Sequence, residues 1–450
     1  MALANIGVAL LLITRNSILK LVSGKSFDEL LPLHRWHGLL GLGEICFHAA
    51  VQIKVAMEEM TPGSTSLPKD QEHISGFTAF IGLLIVFMSS MEVIRRNSFP
   101  LFYLSHITGV LLFIGAGFAH QYSVIVLISP PLFFYFIDRV TRSIRSWGVK
   151  TQTVAVTVAN QQDITKVVFT KGDVPHKVHP GQFVFLSVND GTFASKFGNF
   201  FDWHPFTISE VLSSKQSECV EQKQVDTAER TRSMDLERSV SIPVEQQANN
   251  EPLRASIYMK QQGRFTNKIH SQVMKSEKML HVNVDGPYGS SNLALERHDV
   301  VAFFEAGIGI TPSLTMLRDL AEKCTTDPLS VQTTHIYFVW VTTNMNSANV
   351  FLPQLMESLK IASSAVSPPH IEFDIYLTRC SAETSYIPPF ENMKISFGRP
   401  VVQDIISAID TKHSQSSIAL QTCGPNLFMR QAANVANRKG WIVRRETFEF

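Results

Sequence analysis

The sequence predicts three parts in order: an all-α bundle that spans a membrane, a small antiparallel β-barrel, and an α/β domain built on a doubly wound parallel sheet. Three observations predict them. From Asn97 to Ile137 there is no Asp, Glu, Lys or Arg. After Val149 the pattern changes to short runs of alternating Val, Phe and Thr punctuated by Gly and Pro, the signature of strands. From Val300 to Leu317, VVAFFEAGIGITPSLTML reads as strand, glycine turn and helix. The expected boundaries are 1–146, 150–292 and 298–450.

The 450 residues are enough for two or three domains. A net charge of +1 lacks the strongly basic balance of a nucleic-acid binder, so no nucleic-acid partner is expected. Cys46, Cys219, Cys324, Cys380 and Cys423 are scattered without zinc or redox spacing. A disulfide framework is therefore not expected, and the globular part is placed in reducing cytosol.

The charge-free run of 41 residues suffices for two helices of about 20 residues each. Gln121-Tyr122-Ser123 is the natural turn between them, and Pro130-Pro131 is expected to bend the second. Apolar stretches at 4–22, 34–56 and 75–94 raise the expected count to five spans, the first interrupted by Arg15. If the spans alternate, Lys20 and Lys25, Arg95 and Arg96, and Arg139, Arg142, Arg145 and Lys150 fall on one side, which is then cytoplasmic. The loop 57–74 faces out, as does Met1. An odd span count with an outside start suggests a missing first helix or a signal-anchor arrangement. No cleavable signal peptide is read, because the first stretch lacks a basic start. A multi-pass protein of the plasma membrane is expected, embedded in lipid, with its later domains in the cytosol.

Ionisable groups inside spans are costly and mark function. His34 and His48 lie fourteen residues apart in the second span, and His106 and His120 lie fourteen apart in the fourth. Fourteen residues is close to four turns and about 21 Å of helix axis. Each pair therefore lies near one face. The two spans run in the same direction, which levels His34 with His106 and His48 with His120. Two levels of paired imidazoles suit two six-coordinate haems stacked across the bilayer. A lone histidine here has a lesser reading as a helix–helix hydrogen-bonding residue or a proton relay, and the matched pairs favour metal further. Gly38, Gly41 and Gly43, with Gly109, Gly115 and Gly117, would leave room for flat macrocycles. His37 is read as an interfacial or supporting residue. Glu44 is read as a counter-charge, a proton path or simple burial against a haem edge.

Beyond the bundle, the runs TVAVTVAN, ITKVVFT, GQFVFLSV and ASIYMK supply barrel strands, and WHPFTIS (Trp203 to Ser209) ends another. The segment KQQGRFT (Lys260 to Thr266) follows, with Gly263 at its centre. DGPYGSS (Asp285 to Ser291) closes the barrel region. Gly307 and Gly309 permit a tight turn, and the helix beyond Thr311-Pro312 suits a pyrophosphate. HIYFVWV (335–341) and IEFDIYL (371–377) are strands, and SIALQTCGP (Ser417 to Pro425) is another. Residues 212–252, rich in Ser, Glu, Gln and Arg, read as a disordered insertion.

With these motifs in this order, the chain from about residue 30 onward resembles the ferric reductase/NADPH oxidase superfamily of transmembrane flavocytochromes b. The resemblance implies ferredoxin reductase-like flavin and nucleotide domains and an NAD(P)H-dependent oxidoreductase. It implies FAD on His204, Pro205, Phe206 and Thr207, with Phe206 packed on the flavin, Thr207 near its redox-active nitrogens and His204 near the diphosphate. Lys260, Gly263, Phe265 and Thr266, with Gly286, Pro287 and Gly289, would complete that site. NADPH would lie over Gly307, Gly309, Thr311 and Pro312, with Cys423, Gly424 and Pro425 beside the nicotinamide in the family's last parallel strand and its turn. Arg379 and Arg399 would fork onto the 2′-phosphate, although both read equally as surface arginines. The arginine that oxidases often carry after the strand ending near Asn344 is absent. A terminal aromatic, Phe448 or Phe450, would cover the flavin. Thr207, Cys423 and Phe450 are the expected catalytic set.

Electrons would pass from NADPH through FAD to an inner haem b on His34 and His106, then to an outer haem b on His48 and His120. The fourteen-residue spacing in the later helix is the reductase habit, where oxidases tend to thirteen; it favours an extracellular Fe(III) chelate as acceptor. DGPYG, AGIGITP and FGRP resemble the oxidase dehydrogenase domain, which leaves O2 and superoxide as the alternative. A haem-less scaffold with a degenerate reductase domain is the reading from another class.

Overall fold

A computed structural model describes residues 1–16, 18–25, 27–59, 71–148, 152–158, 164–171, 178–188, 203–212, 253–274, 282–289, 293–379 and 392–446. The chain divides into two compact units, Met1–Ile144 and Arg145–Phe450.

The first unit is helical: α1 (Ala2–Leu12), α2 (Ile18–Ser23), α3 (Phe27–Glu59), α4 (Gln71–Ser89), α5 (Glu92–Asn97), α6 (Phe99–His120) and α7 (Tyr122–Gly148). Among the described residues four helices are long and apolar enough to cross a membrane, over Glu29–Val55, Glu72–Ser89, Phe99–His120 and Tyr122–Ile144. This corrects the expected five spans. Among the described residues, the stretch 4–22 contributes only the short helices α1 and α2. Thr14 Oγ1 turns back to donate to the Leu11 carbonyl at 2.6 Å. The Asn16 backbone N–H and Nδ2 both donate to Asp138 Oδ1 on α7, at 2.9 and 3.0 Å. Gln121 adopts extended backbone between α6 and α7, where the turn was expected. The helix α7 continues through Pro130 and Pro131.

Helices α4 and α6 touch through glycine. A Cβ on Gly109 would stand 2.7 Å from the Gly82 carbonyl oxygen, and one on Gly82 would stand 2.8 Å from that of Gly109. Small residues of this kind let membrane helices pack backbone to backbone. Gly41 serves α1 against α3 in the same way, with a Cβ there 2.7 Å from Ile6 Cγ1. Three of the glycines expected to make room for macrocycles (Gly41, Gly109 and Gly117) therefore serve packing. The other three, Gly38, Gly43 and Gly115, have nothing within 4 Å of an added Cβ.

The second unit holds two sheets. The first contains β1 (Gln152–Val158), β2 (Ile164–Lys171), β3 (Phe183–Val188), β4 (His204–Leu212), β5 (Leu253–Lys260) and β6 (Val282–Tyr288), with α8 (Arg264–Met274) between the last two. Its order is β1-β2-β5-β4-β3-β6, every pairing antiparallel. Val167, Leu186, Ile208, Ile257 and Val284 fill its core, and α8 covers it with Phe265 and Ile269.

The second sheet contains β7 (Val300–Ala306), β8 (His335–Thr342), β9 (His370–Leu377), β10 (Met393–Phe397), β11 (Ile418–Cys423) and β12 (Ile442–Glu446). All its pairings are parallel, in the order β10-β9-β8-β7-β11-β12. Helices α9 (Ile310–Thr326), α10 (Met345–Asn349), α11 (Leu352–Ser363), α12 (Val402–Lys412) and α13 (Asn426–Arg438) connect the strands. Layers on both faces explain why VVAFF is continuously apolar. Strand order reverses between β7 and β11, the switch point at which doubly wound sheets bind ligands. The strand of SIALQTCGP is not the last, since β12 follows it at the edge, where its charged sequence IVRRE is tolerated. Of the insertion expected at 212–252, residues 213–252 lie outside the described residues, as do Phe448 and Phe450.

Candidate functional site

In the helical unit α3 and α6 bring the four histidines into two pairs. The rings of His48 and His120 lie 6.4 Å apart between centroids, with planes at 70°. His34 and His106 lie within electrostatic reach of one another. Three of the four rings are held through Nδ1: His34 at 2.8 Å from the Ala9 carbonyl, His120 at 2.8 Å from the Glu72 carbonyl, and His106 at 2.9 Å from Ser90 Oγ. Ser90 Oγ itself donates to the Val86 carbonyl, so the His106 Nδ1–H is the donor in their bond. That tautomer leaves Nε2 of each ring with a free lone pair. Metal-ligating histidines are oriented in this manner. Two imidazoles on opposite sides of one ion, each bound at about 2 Å, have centroids roughly 6 Å apart. The residues present fit a bis-imidazole haem at that level.

Two further contacts were not legible as spacing. Gly76 on α4 borders the His120 ring, where a Cβ would meet Cε1 at 2.7 Å. His37 Nδ1 bonds Asn5 Oδ1 at 3.0 Å, and Asn5 Nδ2 donates to Glu44 Oε2 at 3.0 Å. His37 and Glu44 are thus linked through α1. A polar Asn within an apolar first stretch was the available signal.

In the barrel, His204 and Phe206 share one face of β4 with Phe265 at the start of α8. His204 stacks on Phe265 at 4.1 Å, and Phe206 does so at 6.0 Å. Thr207 points to the other face, opposite Phe183 on β3. It is 3% exposed, and its Oγ1 has no hydrogen-bond partner among the described residues. A buried hydroxyl without a partner is costly, and a ligand that bonds it there would remove the cost. The barrel residues therefore fit a flavin edge at Thr207. Thr266 Oγ1 accepts from the backbone N–H groups of Gln262 and Gly263 at 3.0 and 3.1 Å, which shapes the α8 entry. Gly263 is open, with nothing within 4 Å of an added Cβ. Lys260 ends β5 just before it. Gly286 and Pro287 lie in the last residues of β6, and Gly289, just beyond it at φ +89°, packs on the Phe183 ring.

At the switch point, Gly307 takes φ +58° with open space where a Cβ would be, and Trp340 Nε1 donates to its carbonyl. Gly309 has no such room, since a Cβ there would stand 2.6 Å from the Cys423 carbonyl oxygen. Gly424, at φ +149°, presses on Ala306. The turn after β7 and the turn after β11 thus interlock through glycine, and Pro425 follows as the N-cap of α13. Thr311 and Pro312 are buried in the first turn of α9, and Thr311 Oγ1 donates to the Ile308 carbonyl. Arg379 and Arg399 are both exposed, just beyond the carboxyl ends of the neighbouring strands β9 and β10.

Sequence reasoning passed over Glu305. It pairs with Cys423 in the sheet register, is fully buried, and accepts from Ser313 Oγ at 2.6 Å. Burial raises its carboxyl well above the usual range, and burial likewise pushes up the Cys423 thiol. A carboxylate inside the run VVAFFEAG was the signal.

The chain matches three family models: ferric reductase like transmembrane component over residues 1–117, FAD-binding domain over 146–292, and ferric reductase NAD binding domain over 298–437. It is 24% identical over 375 residues to ferric reduction oxidase 5 of Arabidopsis thaliana, covering 82% of this chain and 45% of that protein. Ferric reduction oxidase 2 of the same plant is 24% identical over 315 residues, covering 68% of this chain and 37% of its own length. NADPH oxidase 1 of Rattus norvegicus is 23% identical over 401 residues, covering 78% and 64%. The chain spans about half the length of the relatives it matches.

Proposed function

The chain belongs to the ferric reductase/NADPH oxidase superfamily, and from that premise we propose that it passes electrons from cytosolic NADPH, through FAD and two haem b groups, to an extracellular ferric chelate. In this reading it is an NAD(P)H-dependent transmembrane oxidoreductase. The observation that carries the proposal is the pairing of His48 with His120 at 6.4 Å, beside a second histidine pair on the same two helices. When bound, the flavin would supply two-electron hydride chemistry and the haems one-electron chemistry.

The chain's own residues bind, orient and exclude. The Nδ1 bonds of His34, His106 and His120 present Nε2 to iron. The Thr207 hydroxyl would bond the flavin near its reactive nitrogens, on the face of β4 opposite to Phe206 and His204. Gly307 admits the nucleotide backbone, and the first turn of α9 faces the pyrophosphate. Burial, which raises both the Glu305 carboxyl and the Cys423 thiol, disfavours negative charge at the nicotinamide end. Arg379 and Arg399 bind the 2′-phosphate. The Lys and Arg residues that flank the spans support a cytosolic side for these domains, in a protein read as one of the plasma membrane.

The test is NADPH oxidation by haem-loaded protein, with Fe(III)-chelate reduction, oxygen consumption and superoxide followed together. Chelate reduction should exceed superoxide formation, and His120→Ala should abolish both. Superoxide as the main product would replace this reading with the oxidase one, which AGIGITP and the similarity to NADPH oxidase 1 support. A dithionite-reduced spectrum without a b-type band would leave only a membrane scaffold.

A further inference from the structure

The amino ends of the parallel strands lie at the opposite edge of the sheet from the glycine turn. Three histidines gather there. His335 opens β8 and His370 opens β9, and the parallel register sets them side by side with ring centroids 5.7 Å apart. His413 follows α12, and its ring lies 4.5 Å from that of His335. Two imidazoles sharing a tetrahedral ion, each bound at 2.0–2.1 Å, have centroids about 5 Å apart. The two observed spacings bracket that value.

Each ring has one nitrogen occupied by a polar neighbour. His335 Nδ1 bonds Thr334 Oγ1 at 3.0 Å, His413 Nε2 bonds Tyr337 Oη at 2.9 Å, and His370 Nε2 bonds Glu372 Oε1 at 3.2 Å. The other nitrogens, His335 Nε2, His413 Nδ1 and His370 Nδ1, have no hydrogen-bond partner among the described residues. One ring nitrogen held by a hydroxyl or carboxylate, with the other left free, is the arrangement found in histidines that bind metals. Burial, then the charges of His370 and Lys412, hold His335 below its ordinary pKa. Burial, then His335 and Lys412, do the same for His413, with Glu372 opposing in both cases. Lys412, which lies 3.0 Å from Glu372 Oε1 and over the Tyr337 ring, is a cation that works against the site. Among the described residues no three ligands already share one point. A metal held by all three would therefore require the exposed His370 ring to turn toward the other two.

We propose that His335, His370 and His413 form a binding site for one borderline divalent transition-metal ion of the Zn2+ class, separate from the haem, flavin and nucleotide sites. The test is titration of the full, haem- and flavin-loaded chain with Zn2+ against a chelating indicator, with Co2+ as a visible-absorbance probe. One equivalent should bind, more weakly as pH falls from 7 to 5. His335→Ala/His413→Ala should lose that equivalent, and each single variant should weaken it at least about tenfold, with flavin and haem content unchanged. Equal affinity and stoichiometry in the double variant, or an octahedral oxygen-type Co2+ spectrum, would overturn the proposal. If the double variant fails to load flavin, His370→Ala on the exposed ring decides: unchanged Zn2+ affinity overturns the site.

Discussion

Gly76 on α4 leaves the space that the His120 ring on α6 occupies: an added Cβ would stand 2.7 Å from Cε1 and 2.9 Å from Nδ1. The same ring bonds the Glu72 carbonyl one helical turn earlier on α4. The residue therefore positions a proposed haem ligand without touching the haem. Gly76→Ala should displace the ring and lower haem content from two per chain toward one, as His120→Ala does. His106→Ala should remove the other haem. Pyridine haemochromogen assays count the groups, and the reduced α-band of each variant separates the two levels. Two haems of unaltered spectrum in Gly76→Ala would break the link.

Gly309 makes the second close approach, in the soluble unit. Backbone atoms of Cys423 and Gly424 lie 2.6 to 3.0 Å from where its Cβ would be, and backbone cannot move aside as a flexible side chain can. Gly309→Ala should cost about 1–3 kcal/mol by overpacking and part the two turns that face the nucleotide. The KM for NADPH should rise more than the chelate-reduction kcat falls. Gly307→Ala should have a different cause of harm, since its space is open but its φ of +58° disfavours any side chain. Isothermal titration with NADP+ separates the two variants from wild type.

These examples show what the sequence could and could not convey. The four-histidine spacing, the charge-free run and the two glycine turns are local patterns, and each predicted its element. The first span failed because Asn16 bonds Asp138, which is 122 residues away. Hydropathy is blind to such partners. Gly76, Glu305 and the Asn5 link have the same character: what they do depends on neighbours across the fold. The edge strand β12 was hidden by its charges, since edge strands need no alternation of apolar residues.

The joint between barrel and nucleotide lobe makes a pH prediction. Glu210 on β4 binds Lys166 at 2.6 Å and Ser256 at 2.6 Å, and it accepts from Gln354 of α11 at 2.6 Å. Burial pushes its carboxyl up, but the charge and hydrogen bond of Lys166, with Ser256 and Gln354, outweigh that and hold it below the usual range. A depressed carboxyl contributes stability that is present above its unfolded value of about 4.3 and is lost as pH falls through the lower folded value. The joint should therefore weaken below about pH 4.3 and be indifferent above about pH 6. Lys166→Met should remove about 3 kcal/mol, the low end for breaking a buried pair, because Lys166 is 27% exposed. Lys166→Met/Glu210→Gln should recover much of it and flatten the acid limb. Flavin-release melts at pH 4 and pH 7 provide the readout.

Arg379 and Arg399 test the choice of nucleotide. Their strands pair in register up to Phe397 beside Leu377, and the Gly398 N–H donates to the Leu377 carbonyl at 2.9 Å. The Arg379 N–H bonds the Thr343 carbonyl at 2.9 Å, which ties it to the end of β8. Both side chains therefore start from fixed backbone at the ligand edge of the sheet, while their guanidinium groups stay solvated. An exposed arginine contributes little in a surface ion pair, but a fork on phosphate is a stronger contact. If the pair recognises the 2′-phosphate, Arg379→Ala/Arg399→Ala should raise the KM for NADPH about tenfold or more, roughly 1.4 kcal/mol. The KM for NADH should stay unchanged, because NADH lacks that group. Added salt should weaken NADPH binding to the wild type more than to the double variant. Equal losses for both nucleotides would mean that the arginines support the edge of the sheet and do not select the cofactor.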